Sequence, residues 1–250
     1  MTLYILLGII ISITIAGIAF LHQPSFGRLP KGERLDHIKR SPNYREGEFR
    51  NIDTTILMTS HKSRLSGIWS FLFRKVEGLR PDEPIPAIKT ALRKIPLEEN
   101  ALVWFGHSSY LLQVDEKRIL VDPVFCMASP VSFVNKPFRG TEIYSPDDMP
   151  AIDYLVISHD HRDHLDYHTG KQLKGRIGIV VCPLGVGEHF EHRGFDKSRI
   201  IELDWKESAT LSQQFIIHCL PSRHFSGRGL TPNQTLWASF LLETPDRKIF

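Results

Sequence analysis

The sequence predicts an α+β domain assembled in layers and preceded by one apolar N-terminal helix. Three observations carry that expectation. Short apolar runs at 101–105, 110–114, 118–121, 154–157, 177–182, 200–205, 214–220 and 237–243 have strand length, and helical stretches at 167–173 and 186–192 fall between them. Residues 3–21 contain no charged side chain. The apolar run at 154–157 leads directly into a cluster of histidine and aspartate at 158–166.

The chain of 250 residues is 42% hydrophobic, enough to bury a substantial core. A net charge of +3 is too small and too dispersed to argue for a nucleic-acid partner. Cys126, Cys182 and Cys219 cannot all pair and lack C-x-x-C spacing, so they read as small buried hydrophobes.

Residues 3–21 are just long enough to cross a hydrocarbon core, which takes about 20 apolar residues. A cleaved signal peptide is the competing reading. It fits less well, because no Lys or Arg precedes the run and a small-x-small cleavage site is poor before Phe20. Arg28, Lys31, Arg34, Lys39, Arg40 and Arg45 all follow the span, which places the domain on the cytoplasmic side as a single-pass membrane protein.

Residues 22–95 read as a tether and N-terminal extension, and 96–250 as the main domain. The stretch 22–60, with Pro24, Pro30 and Pro42, has little core of its own, although Tyr44 and Phe49 could pin it to the domain. Residues 62–76 mix Leu65, Ile68, Trp69, Phe71, Leu72, Phe73 and Val76 with Lys62, Arg64, Arg74 and Lys75. Two readings stay open there: an interfacial helix against lipid head groups, or a helix packed on the domain.

His159, His161, Asp163 and His164 form an H-x-H-x-D-H cluster. Imidazoles and a carboxylate in one tight loop are zinc-type ligands. Alternate side chains of an extended backbone share a face, so His159 and His161 can reach one metal while Asp163 and His164 turn towards a second. Two metals about 3.5–4 Å apart can clamp an oxygen-rich substrate and activate a water.

The cluster resembles the metal signature of the metallo-β-lactamase fold. In order, WFGHSSY at 104–110, LVDPVF at 120–125, VISHDHRDHLDY at 156–167, PLG at 183–185, IELDW at 201–205 and PSRHFS at 221–226 resemble the branch typified by N-acyl-phosphatidylethanolamine-hydrolysing phospholipase D. The resemblance runs from about residue 40 to Phe250 and implies an αββα sandwich with two zinc ions at one edge. It implies that His224 completes a three-histidine site with His159 and His161. It also implies hydrolysis of a phosphodiester in a lipid or lipid-like substrate by metal-bound hydroxide, with Asp163 orienting the nucleophile and holding the second metal.

Four more residues have candidate roles. His107, in a turn, is expected to orient a ligand or substrate oxygen. Asp122, at a strand end, is expected to be a buried carboxylate orienting a metal-bound histidine. Asp166 could support the metal shell or cap the next helix. Arg228 could meet a substrate phosphate.

The chain departs from the family pattern where Phe250 ends it inside an expected strand. The family continues with an aspartate bridging both metals and a later histidine, so only the N-terminal portion of the fold is expected here. A short protein with one metal is the alternative. A lactone or ester hydrolase of the same fold is the competing activity, and a non-catalytic metal-binding membrane protein is the competing class.

Overall fold

A computed structural model describes residues 1–55, 63–74, 77–131, 135–213 and 215–250. Helix α1 (Thr2–Leu21) has no buried residue and is long and apolar enough to cross a membrane. A 3-10 turn at Pro24–Phe26 follows, then α2 (Glu33–Arg40) and a two-residue hairpin, β1 (Tyr44–Arg45) with β2 (Glu48–Phe49). Helix α3 (Arg64–Phe73) begins at Ser63, whose side chain accepts from the Ser66 N–H. Lys62, Lys75 and Val76 of the helix expected at 62–76 lie outside the described residues. Trp69 and Phe73 are exposed and touch at a tilt of 42°, with ring centroids 4.3 Å apart.

The domain proper starts with the meander β3 (Ala101–Gly106), β4 (Ser109–Val114) and β5 (Lys117–Val121). Strand β6 (Ile152–Val156) joins β5 in parallel. Helix α4 (Tyr167–Leu173), β7 (Ile177–Pro183), α5 (Gly187–His192) and β8 (Ile200–Leu203) extend the parallel half, giving a six-stranded sheet in the order β3-β4-β5-β6-β7-β8. The antiparallel strands β9 (Ser208–Ser212), β10 (Phe215–Leu220), β11 (Ser239–Glu243) and β12 (Lys248–Ile249) make a second sheet in the order β12-β11-β10-β9.

Period-two alternation explains the layering. Ile119, Tyr154, Val156 and Val181 of the six-stranded sheet face Phe215, Ile217, Cys219 and Leu242 of the second sheet. Their neighbours Leu120, Leu155, Val180 and Cys182 point the other way, against Leu173 of α4 and Phe190 of α5. The described residues therefore form helix, sheet and sheet layers of the expected sandwich. Strand β9 was not expected: in Ser-Ala-Thr-Leu-Ser only Ala209 and Leu211 pack on the core, too few apolar residues to stand out. Gln214, at the start of the expected run at 214–220, lies outside the described residues.

Phe49 of β2, a candidate pin to the domain, is fully buried in the inter-sheet core with Trp237, and so is Ile38 of α2, whose single inward side chain was too sparse a pattern to read as core. One expectation needs correction. Cys126 is exposed, whereas Cys182 and Cys219 are buried as expected.

Candidate metal centre

The C-terminal ends of adjacent parallel strands β5 and β6 deliver the first donors. The Asp122 N–H donates to the Val156 carbonyl, which holds the two strand ends in register. Beyond β6 the chain turns sharply, with the Leu165 N–H donating to the His161 carbonyl. From the second sheet, the segment after β10 brings in His224. The β3–β4 turn, with His107 at φ 48°, adds the last element.

His159 Nε2, His161 Nδ1 and His224 Nε2 form a triangle with edges of 3.0, 3.3 and 3.0 Å. Each ring nitrogen offers either an N–H or a lone pair, never both. In a triangle at least two nitrogens of like kind must then face each other, so the three cannot satisfy one another by hydrogen bonding. A central cation removes the conflict. Tetrahedral metal–nitrogen bonds of about 2.0–2.1 Å require nitrogens about 3.3–3.4 Å apart, close to the observed edges. The donor set fits a divalent metal.

Burial holds all three rings neutral, the form that binds metal. His159 is pushed down to about 2 by burial, then by the charges of His164, His161 and His224, with Asp160 opposing. His161 and His224 are lowered by burial first as well. The folded pKa lies below the unfolded one, so the stabilising contribution is present above about pH 6.5 and is lost as pH falls towards the folded pKa. Holding His159 neutral at pH 5 costs the metal-free fold about 2 kcal/mol. The urea midpoint of chelator-treated protein is expected to drop between pH 7.5 and pH 5, and to drop less in His159→Gln. Equal midpoints at both pH values would contradict this account.

Beside the triangle stands a second donor group, His107, Asp163 and His164, with ligand atoms within 4.8 Å of one another. The His159 and His164 ring centroids lie 4.1 Å apart, so the two groups are contiguous. Asp122 is buried and accepts from His164 Nδ1 at 2.8 Å, from the Ser158 N–H at 2.8 Å and from Ser158 Oγ at 2.6 Å. This pairing leaves His164 Nε2 as the ring nitrogen free for a ligand. Ser158 Oγ also lies 2.9 Å from His159 Nδ1, linking one carboxylate to a histidine of each group.

His107 was expected to orient another group. Its ring instead joins the second donor group, 3.3 Å from Asp163 Oδ2, and both side chains are substantially exposed. Asp166 caps α4 through the His168 N–H and accepts from the Cys126 and Met127 N–H groups, away from the donors. Arg228 requires correction. It is 7% exposed, and its guanidinium donates to the carbonyls of Asp160, Leu165 and Ser25, so it ties the donor loop to the segment after α1 and is not offered to a substrate.

Sequence reasoning missed Ser158, Asp160, His189 and Asn51. Asn51 Nδ2 donates to the His224 carbonyl, and Asn51 Oδ1 accepts from the His224 N–H, which clasps that histidine from the N-terminal extension. Only Ser158 and Asp160 carried a signal, their place inside the histidine cluster.

A layered α/β sandwich with two contiguous His/Asp donor groups at one edge defines a class of metal-site folds. Residues 117–250, more than half of the chain, match the beta-lactamase superfamily domain, and the chain belongs to that superfamily, with the metallo-β-lactamase fold. An uncharacterized protein of Mycobacterium tuberculosis is 39% identical over 217 residues, covering 85% of this chain and 57% of that protein. N-acyl-phosphatidylethanolamine-hydrolyzing phospholipase D 1 of Caenorhabditis elegans is 32% identical over 161 residues, covering 59% of this chain and 44% of the relative. The crystal structure of CmlA, a diiron beta-hydroxylase of Streptomyces venezuelae, gives a TM-score of 0.46 at 24% identity, covering 60% of this chain and 28% of that one. The chain thus spans little more than half the length of the mycobacterial relative.

Proposed function

We propose that the protein is a membrane-anchored, zinc-dependent phosphodiesterase acting on lipid-like substrates. The reading rests above all on the triangle of three neutral ring nitrogens beside a second, more open donor group. His159, His161 and His224 would hold one zinc, and Asp163 and His164, with His107 beside them, a second. When bound, zinc supplies Lewis acidity and lowers the pKa of a coordinated water to about 7.

The remaining work falls to the chain's own groups. Asp122 keeps His164 in a single orientation and, through Ser158, steadies His159. Asp163 and His107, whose side chains are exposed, are the groups open to a bound substrate. Asp163 Oδ2 can accept a hydrogen bond from an attacking water and so orient it. The α1 span, read as an uncleaved anchor with the domain on the cytoplasmic side, favours substrates that stay in the bilayer. The relation to N-acyl-phosphatidylethanolamine-hydrolyzing phospholipase D supports a phosphodiester as the bond attacked.

The test is turnover by the zinc-loaded protein in detergent micelles, as residues 1–250 and as a form extended to any natural C-terminus, offered an N-acylated phosphatidylethanolamine beside a long-chain lactone. Zinc-dependent release of phosphatidic acid, abolished by a chelator and restored by zinc, is expected. Lactone opening alone would replace the phosphodiesterase reading. Zinc binding with no turnover of either would favour a non-catalytic metal-binding role.

A further inference from the structure

The apolar helix does not end in a free linker. Phe20, in the last turn of α1, packs edge-on against Phe26 at 5.3 Å. The guanidinium of Arg162, a residue inside the donor loop, lies 4.1 Å over the Phe26 ring and donates to the Ser25 carbonyl at 3.1 Å. Arg228 donates to the same carbonyl at 2.8 Å while also holding the carbonyls of Asp160 and Leu165. Gly27, at φ 76°, lies so close to His189 that an added Cβ would fall 2.2 Å from His189 Nδ1.

That close approach lets the Arg28 N–H donate to His189 Nδ1 at 3.3 Å, which puts the ring proton on Nε2. His189 Nε2 then donates to Asp160 Oδ2 at 3.3 Å, and Asp160 Oδ1 accepts from the Gly227 N–H at 2.7 Å. Asp160 is the residue between His159 and His161, and Gly227 lies three residues beyond His224. One buried relay therefore runs from the end of the apolar helix to the backbone carrying all three histidines of the triangle.

We propose that residues 25–28 form a strap that positions the His159–His161 loop, making the segment next to the apolar helix a working part of the metal centre. The proposal rests on the metal reading above and adds a coupling to it. Three residues separate Leu21 from Ser25, four Cα steps or at most about 14 Å of extended chain, so the donor loop is held close to the end of α1. With α1 in a bilayer, the strap sets the height of the site above the lipid and favours a scissile bond at the head-group level. Gly27 and His189 act as positioning residues in this scheme, and neither touches the metal.

The experiment compares the full chain with Phe26→Ala, Gly27→Ala, His189→Ala and His189→Gln in the same micelles. It reads Co2+ affinity by spectroscopic titration and, without metal, amide hydrogen exchange at 159–165. Gly27→Ala and His189→Ala are expected to weaken Co2+ binding by up to about 10-fold, the low end of what losing a direct hydrogen-bond partner of a ligand costs, because His189 acts on the ligands through Asp160. Both should speed exchange in the loop. Phe26→Ala should speed exchange with a smaller loss of affinity. His189→Gln, whose amide can both donate and accept, should restore both readouts. Wild-type affinity and exchange in Gly27→Ala and His189→Ala would overturn the strap. Wild-type protein that takes up no Co2+ would overturn the metal reading instead, and the exchange data would still decide the coupling.

Discussion

His159→Ala is expected to lose tight metal binding at the three-histidine group, with zinc affinity falling by more than about 100-fold, beyond the range seen for outer-shell losses. His159 is the most buried of the three histidines and touches both other nitrogens at 3.0 Å. Its loss leaves His161 and His224 alone at 3.3 Å, two ligands where a stable zinc site uses at least three. His164→Ala should by contrast spare this group and weaken the second. Elemental analysis with a competition titration separates the two effects. Undiminished zinc content at wild-type affinity in His159→Ala would remove the triangle as a metal site.

The second large effect is on stability. Arg34 of α2 is almost buried and pairs with Glu188, Glu191 and Glu202, while Arg28 also reaches Glu188. Burial alone would lower the Arg34 pKa, but the hydrogen bonds and charges of the three glutamates raise it above its ordinary value. Glu202 Oε1 in turn accepts from the Gly185 and Gly187 N–H groups at the start of α5. Arg34→Met strips the main counter-charge from a buried carboxylate, a change that costs about 3–5 kcal/mol when one partner of a buried pair is removed. Urea unfolding of Arg34→Met should show this loss, and adding Glu188→Gln should recover part of it. A loss below about 1 kcal/mol would make the cluster no stronger than a surface ion pair.

Those charges also mark where sequence reading stops. Arg34 was counted among the positive residues flanking the span, and nothing in residues 28–45 shows that its partners lie more than 150 positions away. Arg228 failed as a substrate-binding candidate for the same reason. A basic residue in a glycine-rich loop looks solvated until three distant carbonyls are found around it. Asn51 and His189 gave no signal, because their contacts to His224 and Asp160 depend on how the N-terminal extension and α5 dock.

What the sequence by itself determined is local. The apolar helix α1, the strands with period-two or continuous apolar runs, and the donor loop straight after β6 follow from side-chain spacing over a few residues. That Asp122 is a buried carboxylate was legible too, since it stands at the end of an apolar strand. Tertiary structure alone decided which way the remaining polar residues face: Asp166 to a helix cap, His107 to the second donor group, and residues 25–28 and Asn51 to bracing the histidines. The physical reason is that a hydrogen bond between residues about 30 to 200 positions apart leaves no periodicity in the chain, whereas burial of one face of a strand repeats every second residue.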